Sequence, residues 1–229
     1  MSRPPETKPS AAGESRRTGG RVGHKSALML PIRSLGENHR ARIAVHLKAL
    51  DPYDRYLRFG YAATDEQIDQ YVERLDFDRD EIFGIYNRHL HLIAMAHLAY
   101  LSGPGAKDSS EFGVSVLSRV RGRGYGARLF ERAAMNARNQ GVRTMFIQVL
   151  SENAAMLRIA RQHGARVEHD GAESQGYLYL PPANLRSRVT ESVKERLARV
   201  NYWLKLQSKL LRVRLGRLQT VWCSARPGA

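Results

Sequence analysis

Residues 115–130, SVLSRVRGRGYGARLF, place Gly122, Gly124 and Gly126 at alternate positions between an apolar run and a helix-like run, with Arg121 and Arg123 interleaved. Glycine weakens local structure, so three of them at a helix start need a reason. Their physical use there is close approach. Backbone amides can point at an anion, the positive end of the helix dipole favours it, and the arginines add charge. The chemistry implied is capture of a phosphorylated cofactor. The string GRGYGA (122–127) formally meets the dinucleotide fingerprint G-x-G-x-x-G/A, with Glu152 as a ribose-binding acid. Ser118 to Arg121 separate it from the preceding strand, however, and the further βαβ units that fingerprint needs are absent. The Walker pattern fails because no Gly-Lys-Ser/Thr follows.

Other reactive side chains are few. Glu111 heads the strand-like EFGVSVL, ten residues before Arg121, and position alone makes it a solvated strand-end glutamate. The stretch HLHLIAMAHLAYL puts His89, His91 and His97 on one strand face by parity, yet no carboxylate or cysteine completes a metal set. Cys223 is the single cysteine, which excludes an internal disulfide framework and a cysteine-clustered metal site.

The elements that must hold these residues come next. Hydrophobic content of 42% and charged content of 26% fit a soluble globular chain. No apolar run approaches the ~20 residues that cross a bilayer. The first 25 residues are basic and rich in Pro, Gly, Ser and Arg. They lack the apolar stretch of a secretory signal and should be disordered, and Pro and Gly spoil an amphipathic transit helix. A cytoplasmic location is the expectation. The net charge of +15 suggests nucleic acid until its distribution is read. Residues 1–25 hold six Lys/Arg against two Asp/Glu, residues 181–229 eleven against two, and the other 155 residues twenty against eighteen. The body is nearly neutral, so the charge does not point to nucleic acid as a partner.

Periodicity predicts a strand in ALMLPIRSL (27–35), a helix over 37–50, an irregular or helical stretch over 51–60, and a helix opened by Thr64 as N-cap. EIFGIY, HLHLIAMAHLAYL and EFGVSVL read as three successive strands. A helix over 124–140, the strand RTMFIQVL, the helix NAAMLRIARQHG and the strands ARVEH and SQGYLYL complete the order. The fold class expected is mixed α/β, a mixed sheet of about seven strands with helices on both faces. A separate helix is expected within 184–229. From Val193 to Leu218 its apolar residues, including Leu197, Val200, Trp203, Leu204, Leu210 and Leu211, cover a broad face, with Lys194, Lys205, Lys209 and Arg212 on the other. Packing on the domain, on a second copy or on an anionic membrane surface would cover it. The domains expected are a disordered tail (1–25), a catalytic domain (26–183) and this basic helix and tail (184–229).

RGRGYG resembles the R-x-x-G-x-G/A signature of the GNAT superfamily of acyl-CoA N-acyltransferases, and NAAMLRIARQHG looks like that family's later helix ending in glycine. Element order agrees over about residues 27–180. DRYLRFG, EFGVSV and NAAMLRIARQHG together look most like the acetyltransferase domain of bacterial protein-lysine acetyltransferases. The resemblance implies a GNAT fold, acetyl-CoA as acyl donor, no metal, and a protein acceptor. It assigns Arg121, Gly122, Arg123, Gly124, Tyr125 and Gly126 to the pyrophosphate, and the backbone of Val114, Val116 and Leu117 to the pantetheine arm. The amide of Val116 or its neighbour then faces the thioester oxygen. It places Asn153 on the cofactor arm, where an N-cap is the plain alternative, and makes Glu111 the general base. Many relatives carry a tyrosine acid seven residues after that asparagine, where this chain has Ala160, so the leaving-group step is unassigned. The function implied is acetyl transfer to an amine, foremost a protein lysine. Alternatives are a small-amine or N-terminal acetyltransferase, or a non-catalytic acetyl-CoA sensor or adaptor.

Overall fold

The computed structural model describes residues 30–101 and 108–183. The expected basic tail over 1–25 and the helix within 184–229 lie outside the described residues. Seven strands form one sheet: β1 (Ile32–Ser34), β2 (Glu81–Tyr86), β3 (Leu92–Tyr100), β4 (Ser109–Val116), β5 (Thr144–Leu150), β6 (Arg166–Asp170) and β7 (Glu173–Tyr179), in the order β1-β2-β3-β4-β5-β7-β6. Every neighbouring pair is antiparallel except β4 with β5.

Three helices stand between β1 and β2, one more than the regular pair the periodicity predicts. A 3-10 turn (Glu37–His39) leads into α1 (Arg40–Lys48), and α3 (Asp65–Glu73) opens on the expected Thr64 cap, closed into a capping box by Gln67. The stretch between them is a full helix, α2 (Pro52–Phe59). Asp51 accepts from the amide of Asp54, Pro52 stands in the first turn where its missing N–H costs nothing, and Gly60 closes the helix at φ 81°. The other two helices are α4 (Tyr125–Asn139) and α5 (Ala154–Gln162). His89 and His91 also depart from expectation, since they lie in the exposed connection before β3 and only His97 is in the strand.

Alternation along β4 sends helices to opposite faces. Phe112 packs edge-on against Phe130 of α4, ring centroids 5.1 Å apart, so α4, with α5 beside it, covers one face. Ser115 points the other way and bonds His46 of α1 at 2.8 Å, so α1, α2 and α3 cover that side. The core between these layers includes Ile43, Leu47, Phe83, Leu98, Leu129 and Met145, all essentially without solvent exposure. Past β4 this layer narrows to α2, which still approaches β5, and beyond α2 Phe146, Gln148, Tyr177 and Tyr179 lie on a sheet face with no described helix over it.

The β4–β5 pairing is short. It runs from Ser109↔Thr144 to Glu111↔Phe146, and past Glu111 the strands part, β5 going on beside β7 while β4 keeps only β3. The amide of Leu117 donates to Ile93 of β3, so by the two-residue alternation the N–H groups of Val114 and Val116 turn to the open side.

His46 fastens α1 to the strand that borders this split. Its Nδ1–H donates to the carbonyl of Leu92 at 3.1 Å and its Nε2 accepts from the Ser115 hydroxyl. Burial pulls its pKa down to about 4 from the usual 6.5, so the folded protein holds it neutral. The unfolded chain protonates first, and the stability this residue contributes is therefore complete above pH 6.5 and lost as pH falls to about 4. The loss should reach roughly 3 kcal/mol. Denaturant midpoints measured across that window should fall with pH, and His46→Gln, less stable at neutral pH, should show a visibly flatter profile.

Candidate functional site

The glycine-rich turn joins β4 to α4. Gly122 and Gly124 sit at φ 73° and 74°, the left-handed region, and a Cβ at either would meet no atom within 4 Å. Backbone conformation, not crowding, therefore selects glycine at both. Gly126 serves packing instead, since a Cβ there would lie 3.1 Å from Ile159. The N-terminus of α4 has no side-chain cap. Its first amides, which lack intrahelical partners, open on a cleft of about 480 Å³ lined by Gly122, Gly124, Tyr125, Val116, Asn153 and Arg158 among others. An uncapped helix start, two left-handed glycines with free space above them and nearby arginines suit a pyrophosphate.

Arg121 is differently placed from Arg123. Its guanidinium pairs with the buried carboxylate of Asp54 on α2 and also donates to the carbonyl of Val116 at 3.3 Å. Burial raises the Asp54 pKa while Arg121 works against that rise. The arginine thus latches the turn to α2, and Arg123, exposed at the tip, is the uncommitted cation of the pair. Leu117 contributes least of the three β4 residues expected on the cofactor arm. Its side chain is buried, its amide bonds Ile93, and its carbonyl accepts from Val120. Val114 and Val116 line the cleft with their N–H groups free of β3. Asn153 does cap α5, accepting from the amide of Met156 at 3.1 Å, and borders the cleft while doing so.

A second cleft of about 250 Å³ continues from the first, sharing Leu57, Arg58, Val114, Asn153 and Met156 with it. It occupies the split between β4 and β5, with Glu111, Gly113, Gln148 and Glu173 on its walls. Glu111, exposed and at the last β4–β5 pair, stands at the fork. It also borders a hollow of about 260 Å³ on the uncovered sheet beside Phe146, Gln148 and Gln175. The structure thus brings Glu111, Val114, Val116, the glycine turn and Asn153 around one continuous cleft. Ala160 is buried away from it. Among the described residues no three His, Cys, Asp or Glu side chains gather as a metal-binding group.

A sheet split beside an uncapped, glycine-led helix agrees with the comparisons to known proteins. The acetyltransferase (GNAT) family model matches residues 49–165, just over half of the chain. The chain belongs to the GNAT acetyltransferase family. That family uses acetyl-CoA as donor, and the protein is an acetyl-CoA-dependent N-acetyltransferase. Several solved GNAT structures share its fold. The GNAT domain of S. lividans PAT superposes with a TM-score of 0.56 at 18% identity, over 65% of this chain and 89% of that one. The Salmonella typhimurium protein yncA, solved with its cofactor acetyl-CoA, gives 0.53 at 17%, over 67% and 95%. A ribosomal-protein-alanine N-acetyltransferase from Brucella melitensis gives 0.52 at 19%, over 66% and 100%. At such identities the likeness is one of fold. No curated protein matches the chain.

Sequence reasoning missed the acetyltransferase's other cleft residues. Arg58 of α2 lies flat over β4, where a Cβ on Gly113 would fall 2.5 to 2.7 Å from its guanidinium atoms. Its NH2 donates to the Tyr71 hydroxyl at 3.0 Å, that hydroxyl meets His97 Nδ1 at 2.8 Å, and His97 Nε2 meets Asp80 at 3.0 Å. The only sequence signal was Gly113 inside a strand, which marks a close approach without naming what approaches.

The glycine turn can be tested with a pair of near-isosteric side chains that both tolerate the left-handed region. Gly124→Asn and Gly124→Asp should fold alike, and calorimetry should find acetyl-CoA bound at least about tenfold more weakly by the aspartate variant, a repulsion of the order of one charge-assisted contact. Equal affinities would remove the turn from phosphate binding.

Proposed function

We propose that this N-acetyltransferase passes the acetyl group to a lysine side chain of another protein, with Glu111 as general base. The observation that carries the reading is the position of Glu111 at the fork, where the cleft beside α4 meets the uncovered sheet face. That face supports a protein acceptor. With Phe146, Gln148, Tyr177 and Tyr179 left open by the described helices, a lysine can enter as part of a broad surface.

The amides of the glycine turn, with Arg123, are assigned to the pyrophosphate, Val114 and Val116 to the pantetheine arm, and Asn153 to the arm's flank. When bound, acetyl-CoA supplies an acetyl thioester. A lysine of pKa ~10.4 is mostly protonated at neutral pH, so its amine needs a base before it can attack. Glu111 takes one proton from the ammonium, the neutral amine nitrogen then bonds the carbonyl carbon, and the adduct nitrogen gives its second proton to water to leave a neutral amide. The electron pair displaced onto the carbonyl oxygen is met by the N–H of Val116 or Val114. The carbonyl re-forms as the C–S bond breaks, and the departing thiolate is protonated from water. A thiol pKa of ~8.5 makes that departure tolerable without a side-chain acid, which suits the buried, proton-free Ala160.

Glu111→Gln keeps the shape and removes the base. Turnover on lysine peptides should fall ~10²- to 10⁴-fold with acetyl-CoA affinity nearly unchanged, and the loss should shrink as pH rises and neutral amine becomes abundant. Rates followed by thiol release from pH 7 to 10 check this. An unchanged rate at pH 7 takes Glu111 out of the mechanism.

A further inference from the structure

Arg58 is a cation on the wall of the cleft. Among the described residues no carboxylate lies within ion-pair distance of it, and one of its five N–H groups is committed, to Tyr71. Its guanidinium also lies 5.2 Å from the Phe59 ring centroid and 5.7 Å from that of Tyr71, so its plane is held by aromatic neighbours.

The chain behind it is directional. Burial alone would raise the Asp80 pKa, but hydrogen bonds from Arg79 and His97 more than offset that and keep it an acceptor carboxylate. His97 therefore donates from Nε2. Burial lowers its own pKa and keeps it neutral, which leaves Nδ1 to accept. The Tyr71 phenol, its pKa raised by burial, donates to that nitrogen and offers its oxygen to Arg58. Each member can point only one way. Arg58 is thus fixed in direction by a neutral hydroxyl that does not cancel its charge.

Position gives the arginine a purpose. Glu111 and Gly113 lie on the same face of β4, two residues apart, and two strand residues span about 7 Å. The cleft therefore offers a base and, two residues along the same strand face, a guanidinium fork shaped for a carboxylate. Resting on the assignment of Glu111 as base, we infer that Arg58 is the acceptor-recognition residue, binding a carboxylate that the acceptor carries near its reacting amine, with Tyr71, His97 and Asp80 as its positioning residues. For a lysine ε-amine that carboxylate comes from an acidic neighbour in a protein or from the α-carboxyl of the free amino acid.

The test compares pairs of acceptors that differ by one charge: blocked peptides with Glu or Gln beside the lysine, and free lysine against lysine amide. Wild type should favour the carboxylate member of at least one pair by about 10- to 100-fold in kcat/KM, mostly through KM. Arg58→Gln should bring that ratio near one, Arg58→Lys should keep part of it, and Tyr71→Phe should lower it with acetyl-CoA affinity little changed. If Arg58→Gln does not fold, Gly113→Ala displaces the guanidinium from the other side and should lower the same ratio. Preference for Glu peptides identifies a protein source, and preference confined to free lysine identifies the amino acid and refutes the proposed protein acceptor alone. Peptides acetylated with no preference would overturn the role of Arg58 and leave the lysine reading standing. Failure to acetylate any of these amines, or a ratio unmoved by Arg58→Gln, would also overturn it.

Discussion

Past Glu111 the backbone of β4 has no neighbour on one side, and most of what this protein can do depends on that gap. Strand edges left open inside a sheet are costly, because each unpaired N–H and C=O must find water or a ligand. Here β5 stays paired with β7 but parts from β4, so the N–H groups of Val114 and Val116 face a cleft instead of a strand. An extended ligand arm can complete that edge. The same parting puts Glu111 at a fork open to two sides, which is what an enzyme joining two substrates requires.

Helix α2 converts the gap into a shaped site. Asp54 holds the glycine turn through Arg121, while Glu152, just before α5, lies near enough to raise the Tyr56 phenol pKa through its charge and a hydrogen bond. Arg58 of the same helix lies over Gly113. One short helix thus touches the glycine turn, the α5 entrance and the split between β4 and β5. Removing a partner from the Asp54–Arg121 pair would leave a buried carboxylate uncompensated, the costly way to break such a pair.

The polar groups on the α1–α3 side of the sheet serve position more than stability. His46 and Ser115 bind α1 to β4 above the split, and the Asp80–His97–Tyr71 chain ties β2, β3 and α3 to Arg58 of α2. Apolar packing could fill the same volume, yet it has no direction. Hydrogen bonds with one permitted sense fix where a guanidinium or a strand edge points, and a transfer site needs that fixity.

Local signals in the sequence determined much of the fold. Alternation and capping located all seven strands and four of the five helices, and Thr64, Gly124 and Asn153 act at the helix starts where their types place them. The glycine turn was legible for the same reason, since left-handed backbone at a helix start is a property of a few consecutive residues. Glu111 could be placed at a strand end by pattern, but the base role expected of it came from a family resemblance. Only the tertiary structure decided that α2 is a helix lying over the split, that Arg121 turns to Asp54, and that His97 belongs to a buried chain while His89 and His91 do not. Arg58, Tyr71 and His97 come from three separate elements and Asp80 from the bend before β2, and no periodicity within one segment reports a contact between segments. Local order is written in neighbours along the chain, whereas the Arg58 side of this cleft is made by neighbours across it.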